Sequence, residues 1–337
     1  MLSLACAVLV SALAATAGPE VQPQGQRYSQ YVDDETGVVK KPERDGFDDP
    51  FGDGVWRSSW FYASLLVIQS KDPATYQRLQ KDHGVDVAQA TRFLRYFRDH
   101  CTNGDEWKLP KNNEQKFSGD QLAPLLYLLA SVNSYGSSES KEVAKDILNR
   151  LVSLDERRHG LSDSHQGQIR DNQRYVIDAV CRMYDIDYIR GFRRDLCKVE
   201  FTGALKVLNA QAQSPDPNIA TRDDYSVFNT LAVVTVTDLK WGKDDEDVDA
   251  WRKNFRVHAD KGWGPAFRIV SGRSQDPAEI EEYATAHITR GQDNDIIMAQ
   301  RPRKYLSGEF NPSQKGGPGQ WLVLDYVILK GLKLAWQ

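Results

Sequence analysis

The 337-residue chain has only four Cys, three Met and six His, and its one continuous apolar run, near the N-terminus, is too short to span a bilayer. Neither sign of charge dominates: 43 Lys and Arg against 47 Asp and Glu leave a formal net charge of −4. That balance supplies no basic field for a phosphate backbone, so nucleic acid is not an expected partner. There is no P-loop, no G-x-G-x-x-G after a strand, no H-E-x-x-H and no G-x-S-x-G elbow, which removes the commonest nucleotide, zinc-protease and α/β-hydrolase chemistries. The histidines are not spaced as metal ligands, and the acidic run Asp244–Asp249 lacks the central Gly and terminal Glu of a calcium loop. No metal and no cofactor is expected. Strand-like alternation is scarce, and no repeat of 34 or 40 residues recurs.

What is present is a soluble composition, 40% hydrophobic and 27% charged, sufficient for a sizeable core. Eight Trp, 14 Tyr and 12 Phe stand out against the three Met. Trp at that density in a polar chain serves a core or a sugar-stacking cleft. Residues 1–17 read as a secretory signal, with small apolar residues from Leu2 and an Ala15-Thr16-Ala17 cleavage pattern, although no Lys or Arg precedes them. The expected location is secreted or periplasmic, with no membrane span in the mature chain. Its loss leaves Cys101, Cys181 and Cys197, either one disulfide with a spare thiol or three buried thiols.

Residues 18–50 lack periodicity and read as an extended lead-in. From 51 to 337 apolar residues fall at helical spacing, over 56–69, 86–100, 120–135, 139–154, 171–185, 222–238, 247–258 and 320–334, and more weakly over 75–82, 187–210 and 277–300. The expected fold is a single all-α domain of ten to twelve helices, a closed toroid rather than a solenoid. Val233–Val236 and Leu322–Leu324 look like strands but lie inside longer helical registers.

Several predicted helices open on acids: Gly52-Asp53-Gly54, Ser118-Gly119-Asp120-Gln121, Asp171-Asn172-Gln173 and Arg222-Asp223-Asp224-Tyr225. Each Asp is a good cap for the free N–H groups of a first turn. Two of them, Asp53 and Asp120, also have glycine beside them, which leaves room for a ligand. In the first stretch, Trp56 and Trp60 share one helical face and Asp53 and Arg57 another, with Tyr62 following. Lining a cleft, these aromatics would stack on sugar rings while the acid reaches a glycosidic oxygen. Packed inward, they would be core, and Asp53–Arg57 an ordinary surface pair.

The Gly-Asp-Gly-Val-Trp-Arg segment at 52–57 and the Phe-Ser-Gly-Asp-Gln segment at 117–121 resemble the acid-bearing loops of six-hairpin, (α/α)6-toroid glycoside hydrolases. The resemblance implies that Asp53 and Asp120 are the catalytic acid and base, that Trp56, Arg57, Trp60, Tyr62 and Gln121 shape the subsites, and that Asp223 and Asp224 are weaker candidates. Glycoside cleavage needs such a pair, one protonated carboxyl for the leaving oxygen and one carboxylate for water or C1. Inversion is favoured, since many of the toroidal hydrolases it resembles invert. The expected substrate is an acidic or bacterial oligo- or polysaccharide, with Arg301, Arg303 and Lys304 in a rim loop suited to anionic sugars.

A second segment, His165 to Tyr175, looks somewhat like the Asn-and-Tyr helix of toroidal alginate lyases. The resemblance implies β-elimination with Asn172 and Arg174 neutralising a uronate and Tyr175 moving the proton, although Gln173 stands where that family has its base. Without that role, Asn172 caps, Arg170 and Arg174 are solvated, and Tyr175 is core. Behind Asp224, Tyr225 and Asn229 lie one turn apart and could bind sugar hydroxyls. A glycan-binding protein without chemistry is the remaining alternative. Oligomeric state is not legible.

Overall fold

A computed structural model describes residues 32–40, 54–102, 119–158, 169–212, 235 and 319–336. Among the described residues the chain is all-helical, and its only extended pairing is an isolated antiparallel bridge between Val32 and Val39. The helices are α1 (Gly54–Lys71), α2 (Pro73–His83), α3 (Ala88–Tyr96, continued by a π-helical turn Phe97–Cys101), α4 (Gly119–Tyr135), α5 (Ser138–Arg158), α6 (Asp171–Met183), α7 (Gly191–Ala212) and α8 (Gly319–Trp336). The described helices coincide with the predicted stretches. The strand-like Leu322–Leu324 is part of α8. The predicted helices at 222–238, 247–258 and 277–300 lie outside the described residues, apart from the buried, helical Thr235.

Local chemistry sets the helix ends. Asp72 separates α1 from α2: its carboxylate accepts from the Thr75 N–H at 3.1 Å, and Pro73 fills the first helical position, where a missing N–H costs nothing. Gly84 ends α2 in the left-handed region at φ +68°, where glycine carries no Cβ penalty. Gly136 and Ser137 turn α4 back into α5, with the Ser137 hydroxyl accepting from the Ser140 N–H at 3.2 Å.

Two kinds of helix alternate. Gly54–Ile68 of α1 and Leu122–Val132 of α4 are buried on every side, as an interior helix requires. Helices α2, α3 and α5 bury one face and expose the other. α1 lies between α4 and α8 and packs along both. At α8 the approach is very close: a Cβ added to Gly331 would stand 2.4 Å from the Ser64 Cβ. Further along, the Lys71 ammonium donates to the Leu334 carbonyl at 2.8 Å, and Lys330 pairs with Asp72 at 3.0 Å. Contacts that advance together from Ser64 to Lys71 and from Gly331 to Leu334 make α1 and α8 parallel, so the first and last described helices sit side by side.

The other neighbours follow the same logic. The Trp60 ring meets the Tyr127 ring edge-on at 5.5 Å, and the Tyr127 hydroxyl lies towards Ser64 and Ser131, each one turn further on in its own helix. α1 and α4 are therefore parallel. Asn133 donates to the Met183 carbonyl at 2.8 Å, joining the C-terminal ends of α4 and α6. On the outside, Arg95 pairs with Glu139 and Arg150 donates to the Arg98 carbonyl, so α3 and α5 run parallel to each other, and α5 runs opposite to α4 across its short turn. Helices α8, α1 and α4 therefore run one way, and α3 and α5 run the other.

The predicted lead-in is seen over 32–40, where it forms a tight turn clamped against α1. Val39 N–H donates to the Ser58 hydroxyl at 2.9 Å, Arg57 Nε donates to the Val39 carbonyl at 3.1 Å, and the Tyr62 hydroxyl donates to the Gly37 carbonyl at 2.6 Å. Gly37, at φ +72°, lies against the α3 backbone, where a Cβ would come within 2.7 Å of the Gln89 carbonyl. Cys101, Cys181 and Cys197 are free thiols, all buried, which corrects the disulfide alternative. No described helix is long and apolar enough to cross a membrane.

Candidate functional site

The two candidate acids stand at the starts of the two interior helices. Asp120 is the second residue of α4, and Asp53, outside the described residues, immediately precedes α1. Gln121 is half-buried in the first turn of α4. Asp224 and Tyr225, with Asp223 and Asn229, lie outside the described residues, as does the rim cluster Arg301, Arg303 and Lys304.

The subsite residues expected on α1 are corrected. Trp56 is 4% exposed, Arg57 1%, Trp60 0% and Tyr62 1%. Side chains so enclosed offer no face to a sugar ring. Trp60 instead packs on Tyr127, Tyr62 on Phe93 at 6.1 Å, and Arg57 holds the 32–40 turn through its bond to Val39. The apolar interior stays large because the aromatics fill it: fully burying one such side chain contributes roughly 1.5–3 kcal/mol. Between the helices the hydroxyls of Ser64, Tyr127 and Ser131 are buried near one another. Burial pushes the Tyr127 phenol well above its ordinary range, so it stays protonated.

The residues of the second segment are also engaged. Arg174 makes a two-pronged contact with Asp155, Nε to Oδ2 at 2.8 Å and Nη2 to Oδ1 at 2.7 Å, and a further bond to Asp171 at 2.6 Å. Tyr188 donates to the same Asp155 carboxylate. Burial opposes the charge on Asp155, but the Arg174 and Tyr188 bonds outweigh it and hold its carboxyl below the usual range. Tyr175 is buried, 5.3 Å from the Phe201 ring, with the Arg194 guanidinium 5.7 Å from its centre. Asn172 is half-buried, and its Oδ1 accepts from the Gln173 N–H at 2.8 Å. Arg174 is thus an ion-pair anchor and Tyr175 a core residue, in place of the solvated arginine of one reading and the proton-transfer tyrosine of the other.

Sequence reasoning missed the carboxylates that organise this region. Asp155 meets Arg174 across 19 positions and two helices, and no local spacing announces it. Asp178, 0% exposed, accepts from Arg182 at 2.7 Å and from Arg194 at 3.0 Å. The Arg182 contact is an i,i+4 pair that the sequence does display. Among the described residues no group of His, Cys, Asp and Glu could hold a metal ion.

Asp171 opens α6, is half-exposed and is paired with Arg174 at 2.6 Å. No protein-family model, curated protein or solved structure matches the chain.

Proposed function

We propose that the chain is a carbohydrate-active enzyme on an (α/α)6 toroid, a secreted or periplasmic glycoside hydrolase that cleaves an acidic or bacterial polysaccharide with Asp53 and Asp120 as its acid and base. Side-by-side packing of the first and last described helices, and inner helices running against outer ones, support a ring of hairpins. The observation that carries the reading is the register of α1 against α4. Trp60 stands seven residues after Asp53, and Tyr127, which meets Trp60, stands seven after Asp120. Ser64 and Ser131, which flank the Tyr127 hydroxyl, each stand eleven after the corresponding acid. Parallel helices in that register would bring the two carboxylates level at one end.

Neighbouring helix axes lie about 8–10 Å apart, which overlaps the roughly 6.5–9.5 Å between carboxyls that leaves room for a water and gives inversion. Free N–H groups of a first turn stabilise a carboxylate, which suits the base. The partner must hold its proton at neutral pH, which requires a drier or more negative setting. Subsites would come from residues other than the buried α1 aromatics, with Gln121 the candidate nearest Asp120.

Elimination is the weaker reading, because Arg174 and Tyr175 are already engaged. A panel of neutral and uronate-containing glycans separates the outcomes by the proton-transfer chemistry of each: new reducing ends without absorbance near ~235 nm mean hydrolysis, and both signals together mean elimination. A ligand that raises the melting temperature without turnover would leave binding alone and defeat the enzyme reading.

A further inference from the structure

Three hydroxyls lie buried where α1 packs on α4: Ser64, Tyr127 and Ser131 are each 0% exposed. The Tyr127 phenol lies towards both serines. Among the described residues, none of the three oxygens has a hydrogen-bond partner elsewhere. The same two helices bury a run of leucines, among them Leu65, Leu128 and Leu129.

These two kinds of side chain constrain the helices differently. Leucine packed on leucine specifies a register poorly, whereas a buried hydroxyl separated from every polar group is costly. Sliding α4 along α1 by one ridge, three or four residues, would carry Tyr127 and Ser131 about 5 Å from Ser64 and leave the serine among aliphatic side chains. Only the observed register keeps all three hydroxyls together. Ser64 also meets the close approach of α8, since a Cβ added to Gly331 would stand 2.4 Å from its own. The hydroxyls therefore lie where three parallel helices meet.

We propose that Tyr127, Ser64 and Ser131 are positioning residues, whose contact fixes α1 against α4 in one register and so keeps Asp53 and Asp120 level. The inference rests on the hydrolase reading of those two acids. Fully buried, the hydroxyls act only through the helices that carry them. Buried polar groups specify register in helical seams at some cost in stability. Loss of the phenol hydroxyl should therefore spare the melting temperature and harm turnover, the reverse of what a packing role alone would do.

Two measurements on the full chain test this separately from the hydrolase reading. Hydrogen exchange needs no substrate: Tyr127→Phe is expected to speed exchange about tenfold at the facing turns of α1 and α4, with α6 and α7 unchanged and melting within about two degrees of wild type. On a glycan that the wild type cleaves, the same variant should lower kcat about tenfold or more and leave KM within about twofold. Ser131→Thr, which keeps a hydroxyl, should turn over faster than Ser131→Val, which has the same shape without one. Unchanged exchange at the α1 and α4 turns overturns the register lock. Faster exchange with an unchanged kcat overturns its bearing on the two acids. A wild type that cleaves no glycan defeats the hydrolase reading, and the positioning role with it, while the exchange result still decides the lock.

Discussion

The starts of α1 and α6 look alike in sequence: each sets an acid, an arginine and aromatic or phenolic side chains within about two turns. They use those residues differently. In α1 the arginine is 1% exposed and donates to a backbone carbonyl of the 32–40 turn, while the aromatics fill the interior. In α6 the arginine joins two carboxylates, one buried and one half-exposed, and the tyrosine packs beneath α7. The contrast teaches that residue types suited to catalysis are spent on structure in both places, once on packing and once on ion pairing.

Trp60→Ala gives the largest effect and breaks the comparison most clearly. As a core residue Trp60 should cost about 3–5 kcal/mol of unfolding free energy, measured by denaturant titration. A variant that kept its stability and lost only substrate affinity would restore the sugar-stacking role. Arg174→Ala should cost about 3–5 kcal/mol as well, because it strands the buried Asp155 charge. The pH dependence sharpens this. The native pKa of Asp155 lies below its unfolded value, so its contribution is complete above the unfolded carboxylate range near 4 and disappears as pH falls through the native value. The gap between wild type and Arg174→Ala should therefore be widest at neutral pH and narrow in acid. A gap that widened in acid would contradict the pairing.

Gly331→Ala is next. The added methyl meets Ser64 at 2.4 Å from its Cβ, so α1 and α8 must separate, at about 1–3 kcal/mol. Adding Ser64→Gly should recover part of the loss, and no recovery would place the strain elsewhere. Tyr62→Phe is the smallest: it removes the donor to the Gly37 carbonyl and should cost about 1 kcal/mol, read as a modest loss of stability with turnover unchanged. An unaltered melting curve would mean that the 32–40 turn is not held through Tyr62.

Helical periodicity made much of the scaffold legible. Even Leu322–Leu324, β-prone by residue type, belongs to a helix because the surrounding register outweighs three aliphatic residues. The weak stretch at 75–82 is a full helix because Asp72, Pro73 and Gly84 define its ends more firmly than its apolar pattern does. The site was less legible. Trp56 and Trp60 share a face whether that face meets sugar or core, and only their neighbours decide. Asp155 carries no signal at all, since its partner Arg174 is brought to it by the packing of α5 on α6. The double apolar face of α7 lowers its apparent amphipathicity, which is why the stretch read as a weak helix.

The proposed hydrolysis needs Asp53 and Asp120 to act together, and turnover by the Asp53→Asn and Asp120→Asn variants tests this most directly. On a glycan that the wild type cleaves, each variant is expected to lose at least a hundredfold in rate, in line with loss of an acid or base, while melting within about two degrees of wild type. If both variants cleave at the wild-type rate, the pairing of α1 and α4 carries no chemistry and the proposed function is wrong.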